Sequence, residues 1–168
     1  YWSIPANIPL RSEDFLVYGQ AILASRKNTD EAESYLAMAY NMNPERRSVV
    51  LYLAGELARK GKFNEAEAVL KNYLAEHPGD PKCTVNIAEL YNATGKAELA
   101  EKLIRAINVP ESPQSRTIYY YHLGVSCMLQ GRKEEADAAF QKALETADRT
   151  KADFIKNVIE HNKSNKRQ

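Results

Sequence analysis

The sequence predicts an all-α solenoid of four helix–turn–helix repeats closed by a C-terminal capping helix. Three observations carry this expectation. Alanine returns at one column of four aligned 34-residue windows, and glycine returns at the column where the first helix of each window must stop. No stretch shows the apolar–polar alternation of a strand, whereas helical spacing is plain in Ala66, Val69, Leu70, Tyr73 and Leu74. The windows are 13–46, 47–80, 81–114 and 117–150. Residues 1–12 read as an extended N-terminal segment and 151–168 as a capping helix with a basic tail.

The columns have a physical meaning. Position 20 is Ala32, Ala66, Ala100 and Ala136, and position 8 is Gln20, Ala54, Ala88 and Gly124. Two helices approach closely only where both present small side chains, so these columns mark the crossing point within each pair. Leu36, Leu70, Ile104 and Phe140 at position 24 fill the space beside it. Gly61, Gly95 and Gly131 at position 15 suit the left-handed conformation that ends a helix, Lys27 being the exception. Gly19 beside Gln20 suggests a shifted or irregular first helix, and Pro110 should end the third repeat early.

Helix starts agree. Asn43-Pro44, Asp80-Pro81 and Ser112-Pro113 each place a capping side chain before a proline at the first helical position. In the first repeat Ser12 is the expected cap, with Glu13 and Asp14 favourable at the positive helix end. Beyond Thr150, Phe154, Ile155, Val158 and Ile159 share one face, as expected of a capping helix over residues 151–161 that covers the apolar end of the last repeat.

Composition excludes several classes. The chain has 168 residues, 44% hydrophobic and 27% charged, with a formal net charge of +1, so no phosphate-seeking surface and no nucleic-acid partner are expected. The one basic cluster, Lys163 to Arg167, reads as a solvated tail. No segment reaches the ~18 apolar residues of a membrane span. The chain opens Tyr1-Trp2-Ser3-Ile4-Pro5, without Met or a charged leader, as a fragment or processed form would; membrane contact is expected only through a removed anchor. The compartment stays open.

Catalytic and metal constellations are wanting. Cys83 and Cys127 match no metal spacing and read as small buried hydrophobes. His77 and His161 have no acid and nucleophile beside them in an evident cleft, and no phosphate-cradling loop or paired carboxylates can be placed. Position 21 is always acidic (Glu33, Glu67, Glu101, Asp137), but at roughly 10 Å between neighbouring hairpins it reads as a solvated face. No enzyme, cofactor, metal or small-molecule substrate is expected.

The in-phase columns resemble the tetratricopeptide repeat family over residues 13–150. The second and fourth repeats carry the resemblance best, through Leu53-Ala54, Gly61, Phe63, Ala66 and Pro78, and through Leu123-Gly124, Gly131, Ala136, Phe140 and Ala143. The resemblance implies a right-handed superhelix whose inner groove is lined by the first helices. It places Val17, Tyr18, Ala21 and Ala24 there, then Leu51, Tyr52, Gly55, Ala58 and Arg59. Lys82, Val85, Asn86, Glu89 and Asn92 follow, then Tyr121, His122, Val125 and Met128. Position 5 is apolar throughout (Val17, Leu51, Val85, Tyr121) and position 9 is small in Ala21 and Gly55, which suits a helix or extended segment with apolar anchors. The Lys and Asn with which some members clamp a chaperone carboxylate are here Val17 and Ala21, so that partner is not expected.

The expected function is therefore a protein-binding scaffold or adaptor whose groove holds a partner helix or peptide, in a bacterial envelope or assembly complex. The alternatives are a non-catalytic arm of a larger enzyme or membrane protein, and a self-assembling protein. In the last, the groove or residues 1–10, with Trp2, Ile4, Ile8 and Leu10, would join copies or fill the groove.

Overall fold

In the computed structural model, which describes residues 9–25 and 29–164, nine helices and no strand are present among the described residues. The chain divides into two compact units, Tyr1–His77 and Pro78–Gln168. The first unit holds α1 (Ser12–Ser25), α2 (Thr29–Met42), α3 (Arg47–Arg59) and α4 (Phe63–Glu76). The second holds α5 (Pro81–Ala93), α6 (Ala97–Ala106), α7 (Pro113–Leu129), α8 (Lys133–Leu144) and α9 (Arg149–Ser164).

Within each unit the hairpins form around the small residues. At Gly124 a methyl group would stand 2.7 Å from the ring of Phe140, so the α7–α8 crossing has room for hydrogen alone. Ala136 and Phe140 are buried there with Leu123, Ile104 and Ile155 in one cluster. In the first unit Gly19 does the same work: a methyl would lie 2.8 Å from Leu36. The crossing residue of the first repeat is therefore Gly19, one place earlier than the Gln20 of strict 34-residue phase. The first helix is shifted by one residue, as the Gly19-Gln20 pair suggested. Lys27, the exception to the glycine column, lies outside the described residues.

The three glycines that end first helices behave alike. Gly61, Gly95 and Gly131 all sit at φ 77°, the left-handed region where a Cβ is penalised. Beyond each, an amide reaches back five residues: Lys62 N–H donates to the Leu57 carbonyl at 2.9 Å, Lys96 to Tyr91 at 2.7 Å and Arg132 to Cys127 at 3.0 Å. These bonds close the helix end and reverse the chain into the second helix.

The starts divide. Asp80 caps α5, accepting from the amides of Lys82 at 3.1 Å and Cys83 at 3.0 Å, and Ser112 caps α7 by accepting from Ser115 at 3.2 Å. Asn43-Pro44 does not start a helix. Residues 43–46 form a turn, and α3 begins at Arg47 with Arg46 preceding it and no side-chain cap. In phase, Pro44 corresponds to Pro78 of the next inter-repeat turn, and the Asn43 amide is still bonded to Ala39 at the end of α2, at 3.0 Å. Ser12 is no cap either: it is buried, and its hydroxyl donates to the Ala39 carbonyl across the hairpin at 2.8 Å. The third repeat ends early, as Pro110 requires, with α6 stopping at Ala106.

Position 21 corrects a larger expectation. Glu33 and Glu101 are not a solvated face but half-buried anchors for the next hairpin. Glu33 on α2 accepts from Lys60 at 2.7 Å and Lys62 at 2.6 Å, the two lysines that flank Gly61. Glu101 on α6 accepts from Gln130 at 2.9 Å and from Arg132, which flank Gly131, and from Arg105 on its own helix at 2.7 Å. In both units, then, an acid on one hairpin grips the turn of the following one. The lysine hydrogen bonds hold the Glu33 carboxyl below its ordinary value, and the cations likewise hold Asp30 down. At Glu101 burial pushes upward, but the bonds from Arg105, Gln130 and Arg132 outweigh it and the carboxyl is also lowered.

The final helix runs Arg149–Ser164, longer than the 151–161 expected. Ile155 is buried and Val158 and Ile159 pack on the α7–α8 cluster. Phe154, expected on the buried face, is 55% exposed and meets Tyr121 at 5.7 Å between ring centroids.

Two outcomes follow for packing. Ala66→Leu or Gly124→Ala should each cost about 1–3 kcal/mol in urea unfolding, because both overfill a crossing. Ending the chain at Thr150 should lower the melting temperature and promote association in sedimentation, since Ile155 no longer covers the α7–α8 core.

A third concerns charge. Because Glu33 is depressed in the folded state, its stabilisation is complete above its ordinary value of 4.5 and is lost as pH falls through the lowered one. Glu33→Gln should cost about 1 kcal/mol at neutral pH, and the gap to the parent should close in acid, read from urea midpoints across a pH series.

Candidate functional site

Each unit presents the first-helix residues expected to line a groove in its own way. In the first unit, Val17 is 59% exposed and Tyr52 is 44% exposed, large apolar surfaces that the local packing does not use. Leu51 is half-buried, and Gly55 is exposed. A methyl group added to Gly55 would meet nothing within 4 Å, unlike at Gly19 and Gly124. Helix packing therefore does not require this glycine, which weakens α3 by about 1 kcal/mol relative to alanine.

The one-residue shift of α1 turns Tyr18 off this face. Tyr18 is half-buried and its ring lies 5.7 Å from that of the half-buried Tyr35 of α2, so it packs on its own hairpin. Arg59 is likewise committed: it holds the buried Glu56 through two hydrogen bonds, at 2.8 and 2.6 Å. That bond raises the Arg59 value further. Glu56 had no signal in the sequence, because an acid in a helix is by default exposed and only the fold buries it.

In the second unit Lys82 is exposed and Asn86 is half-buried, its amide donating to the Lys82 carbonyl at 2.9 Å. Glu89 reaches the surface, yet surrounding protein desolvates its carboxyl and pushes it up. Tyr121 and His122 are half-buried neighbours with rings 5.1 Å apart. Burial raises the Tyr121 hydroxyl, with the Glu89 charge adding to it, and burial pushes His122 down to about 4, so the imidazole is neutral at physiological pH. Asn92, half-buried on the same helix as Glu89, accepts from the Ser126 hydroxyl at 3.1 Å, while its amide nitrogen is buried without a partner.

Position 5 is corrected by these placements. In the shifted register of α1 it is Leu16, which is 6% exposed, and Val85 is 6% exposed as well. Tyr121 packs against Phe140 and Phe154. At Leu16 and Val85 the apolar character of this column reflects packing, and in the next row Val17 and Tyr52 are exposed while Asn86 and His122 are half-buried.

Cys83 and Cys127 are buried and not joined in a disulfide. Glu101, Cys127 and Glu135 bring one ligand atom each within 4.8 Å of one another. Two guanidinium groups stand on these carboxylates, Arg105 on Glu101 at 2.7 Å and on Glu135 at 3.3 Å, and Arg132 on Glu135 at 2.9 Å and on Glu101. The charge a metal would neutralise is already matched, and the arrangement is the hairpin anchor described above.

His77, expected to have no acid and nucleophile beside it in an evident cleft, lines a cavity of about 260 Å³ in the first unit with Tyr40, Pro44, Glu45, Asn72, Tyr73 and Glu76. The signal was discontinuous in sequence, coming from the ends of two helices. Residues 1–8, and with them most of the segment expected to reach the groove, lie outside the described residues, as do the side chains of the basic tail.

Helical hairpins, three of them turned by a left-handed glycine, define a helical-repeat protein. Tetratricopeptide-repeat family models match residues 57–119 and 118–149, together more than half of the chain, and the chain belongs to that family. It is 27% identical over 121 residues to cellulose synthase operon protein C of Pseudomonas fluorescens (strain SBW25), a match covering 68% of this chain and 10% of that protein. The chain thus spans only about a tenth of that relative.

Among solved structures it resembles MamA 41-end from Desulfovibrio magneticus RS-1 (TM-score 0.65, 18% identity, 91% of this chain and 88% of that one). It also resembles TTC0263, a thermophilic TPR protein of Thermus thermophilus (TM-score 0.70, 19% identity, 88% and 82%). At these identities the likeness shows the fold. Proteins of this family bind protein partners, and the fold is generally non-catalytic.

Proposed function

We propose that the chain is a non-catalytic scaffold that holds a helix or extended segment of a partner protein against the inner faces of its first helices. In the first unit the contact would be made by Val17, Leu51, Tyr52 and Gly55, and in the second by Lys82, Asn86, Tyr121 and His122. The observation that carries this is Gly55. The residue lies mid-helix, exposed, with open space where a side chain would be, next to exposed Tyr52. A backbone approaching α3 would use that space, and the ring beside it would supply an apolar anchor. Nucleic acid is not a partner in this reading, since the net charge is only +1.

A bacterial setting is favoured by the likeness to cellulose synthase operon protein C, and the same likeness supports a second reading. In it, the chain is one arm of a much longer protein, of which its match spans a tenth. Both readings make the chain a docking element and differ in what it is attached to.

The test uses two single variants. Gly55→Ala should stabilise the protein by about 0.5–1 kcal/mol in urea unfolding, because nothing collides with the new methyl. It should also weaken partner retention measured by quantitative crosslinking in the native host. Tyr52→Ala, at an exposed ring, should leave stability within about 0.5 kcal/mol and weaken retention as well. Unchanged partner sets in both variants would move the site off α3.

A further inference from the structure

We propose that the cavity at the C-terminal ends of α2 and α4 is a receptor for one basic side chain, an arginine in the first place, of a protein partner. It lies away from the inner faces and shares no residue with them.

Four features of the first unit converge there. The first is aromatic. Tyr73 and His77 lie parallel, 4.2 Å between ring centroids with planes 4° apart, and Tyr40 of α2 forms another wall of the cavity. Tyr73 is buried and covers one face of His77, so the ring surface left to a ligand is that of the half-buried His77 and Tyr40. Ring faces attract cations, and a planar guanidinium also stacks on them. The second is charge: Glu45, from the inter-repeat turn, and Glu76, from the last turn of α4, both line the cavity and both are exposed, so their carboxylates remain available.

The third is the backbone. α2 ends at Met42 and α4 at Glu76, so the negative ends of two helix dipoles converge on the opening, and neither helix carries a basic residue in its last turn. Helix C-termini favour cations, and here the chain supplies none from these turns. The fourth is the set of His77. Its Nδ1 lies 3.2 Å from the Tyr73 carbonyl, which only accepts, so Nδ1 carries the proton; in the neutral ring Nε2 is then an acceptor. A guanidinium entering between the rings and the carboxylates finds stacking surface and acceptors, and the lining residues include no lysine or arginine. The cavity, about 260 Å³, suits the end of a side chain rather than a folded element.

The experiment titrates the whole chain with N-acetyl-arginine amide while following the aromatic carbon–proton NMR signals of Tyr40, Tyr73 and His77. N-acetyl-norleucine amide serves as the neutral control and calcium chloride as the inorganic cation. The expected result is saturable movement of these three residues with the arginine probe alone. Glu45→Gln/Glu76→Gln, at two exposed positions, should weaken its binding about tenfold while circular dichroism stays unchanged. Movement of equal size with the norleucine probe would reduce the cavity to an apolar notch and overturn the proposal. So would signals that do not saturate, or calcium displacing the arginine probe with higher affinity. The readout involves neither Tyr52 nor Gly55, so failure here and failure of the inner-face reading are separately visible.

Discussion

The fold rests on the close approach of two helices within each hairpin, which one small residue permits. At Gly124 and Gly19 the opposing Phe140 and Leu36 stand nearer than any Cβ would tolerate. In the other two hairpins alanines suffice, and Ala54 and Ala88 are buried, as are Leu70 and Ile104. From that contact follow the burial of the large residues, the antiparallel course of each pair and the positions of the exposed faces. Each such large side chain contributes about 1.5–3 kcal/mol when fully buried, more than an exposed charge pair does.

Charge has a different task. Glu33 and Glu101 do not build the hairpins; they fix where the next one sits. Each grips the residues on either side of a left-handed glycine, the point at which the backbone turns and a displacement would be most felt. The pairs are half-buried and therefore less screened than surface pairs, and each carboxylate is shared by two or more donors, which resists rotation about any single bond. This recurs in both units with different donors, lysines in one and a glutamine with arginines in the other.

The exposed surfaces divide by the same logic. Where the fold needs a small residue, adding an atom collides; at Gly55 it does not, and the glycine asks for another explanation. Tyr18 and Tyr52, adjacent in kind and in expected role, fall on opposite sides of that line because α1 is shifted by one residue while α3 is not. The helix ends add another surface: at the α2 and α4 C-termini, acids and aromatic rings gather where a basic residue would ordinarily neutralise the dipole.

The sequence by itself determined the hairpins. Alanine, glycine and large apolar residues repeat in phase because each hairpin solves the same local packing problem, and local problems leave periodic marks. It also determined the capping residues Asp80 and Ser112, whose reach is three residues. What only the tertiary structure decided involves partners distant in the chain: the Gly19 register, set by Leu36; the burial of Glu56; the grip of Glu33 on Lys60 and Lys62; the cavity joining Tyr40 to His77. A position-5 column that is apolar for packing and one that is apolar for binding look identical in sequence. Solvent exposure separates them, and exposure is a property of the folded chain.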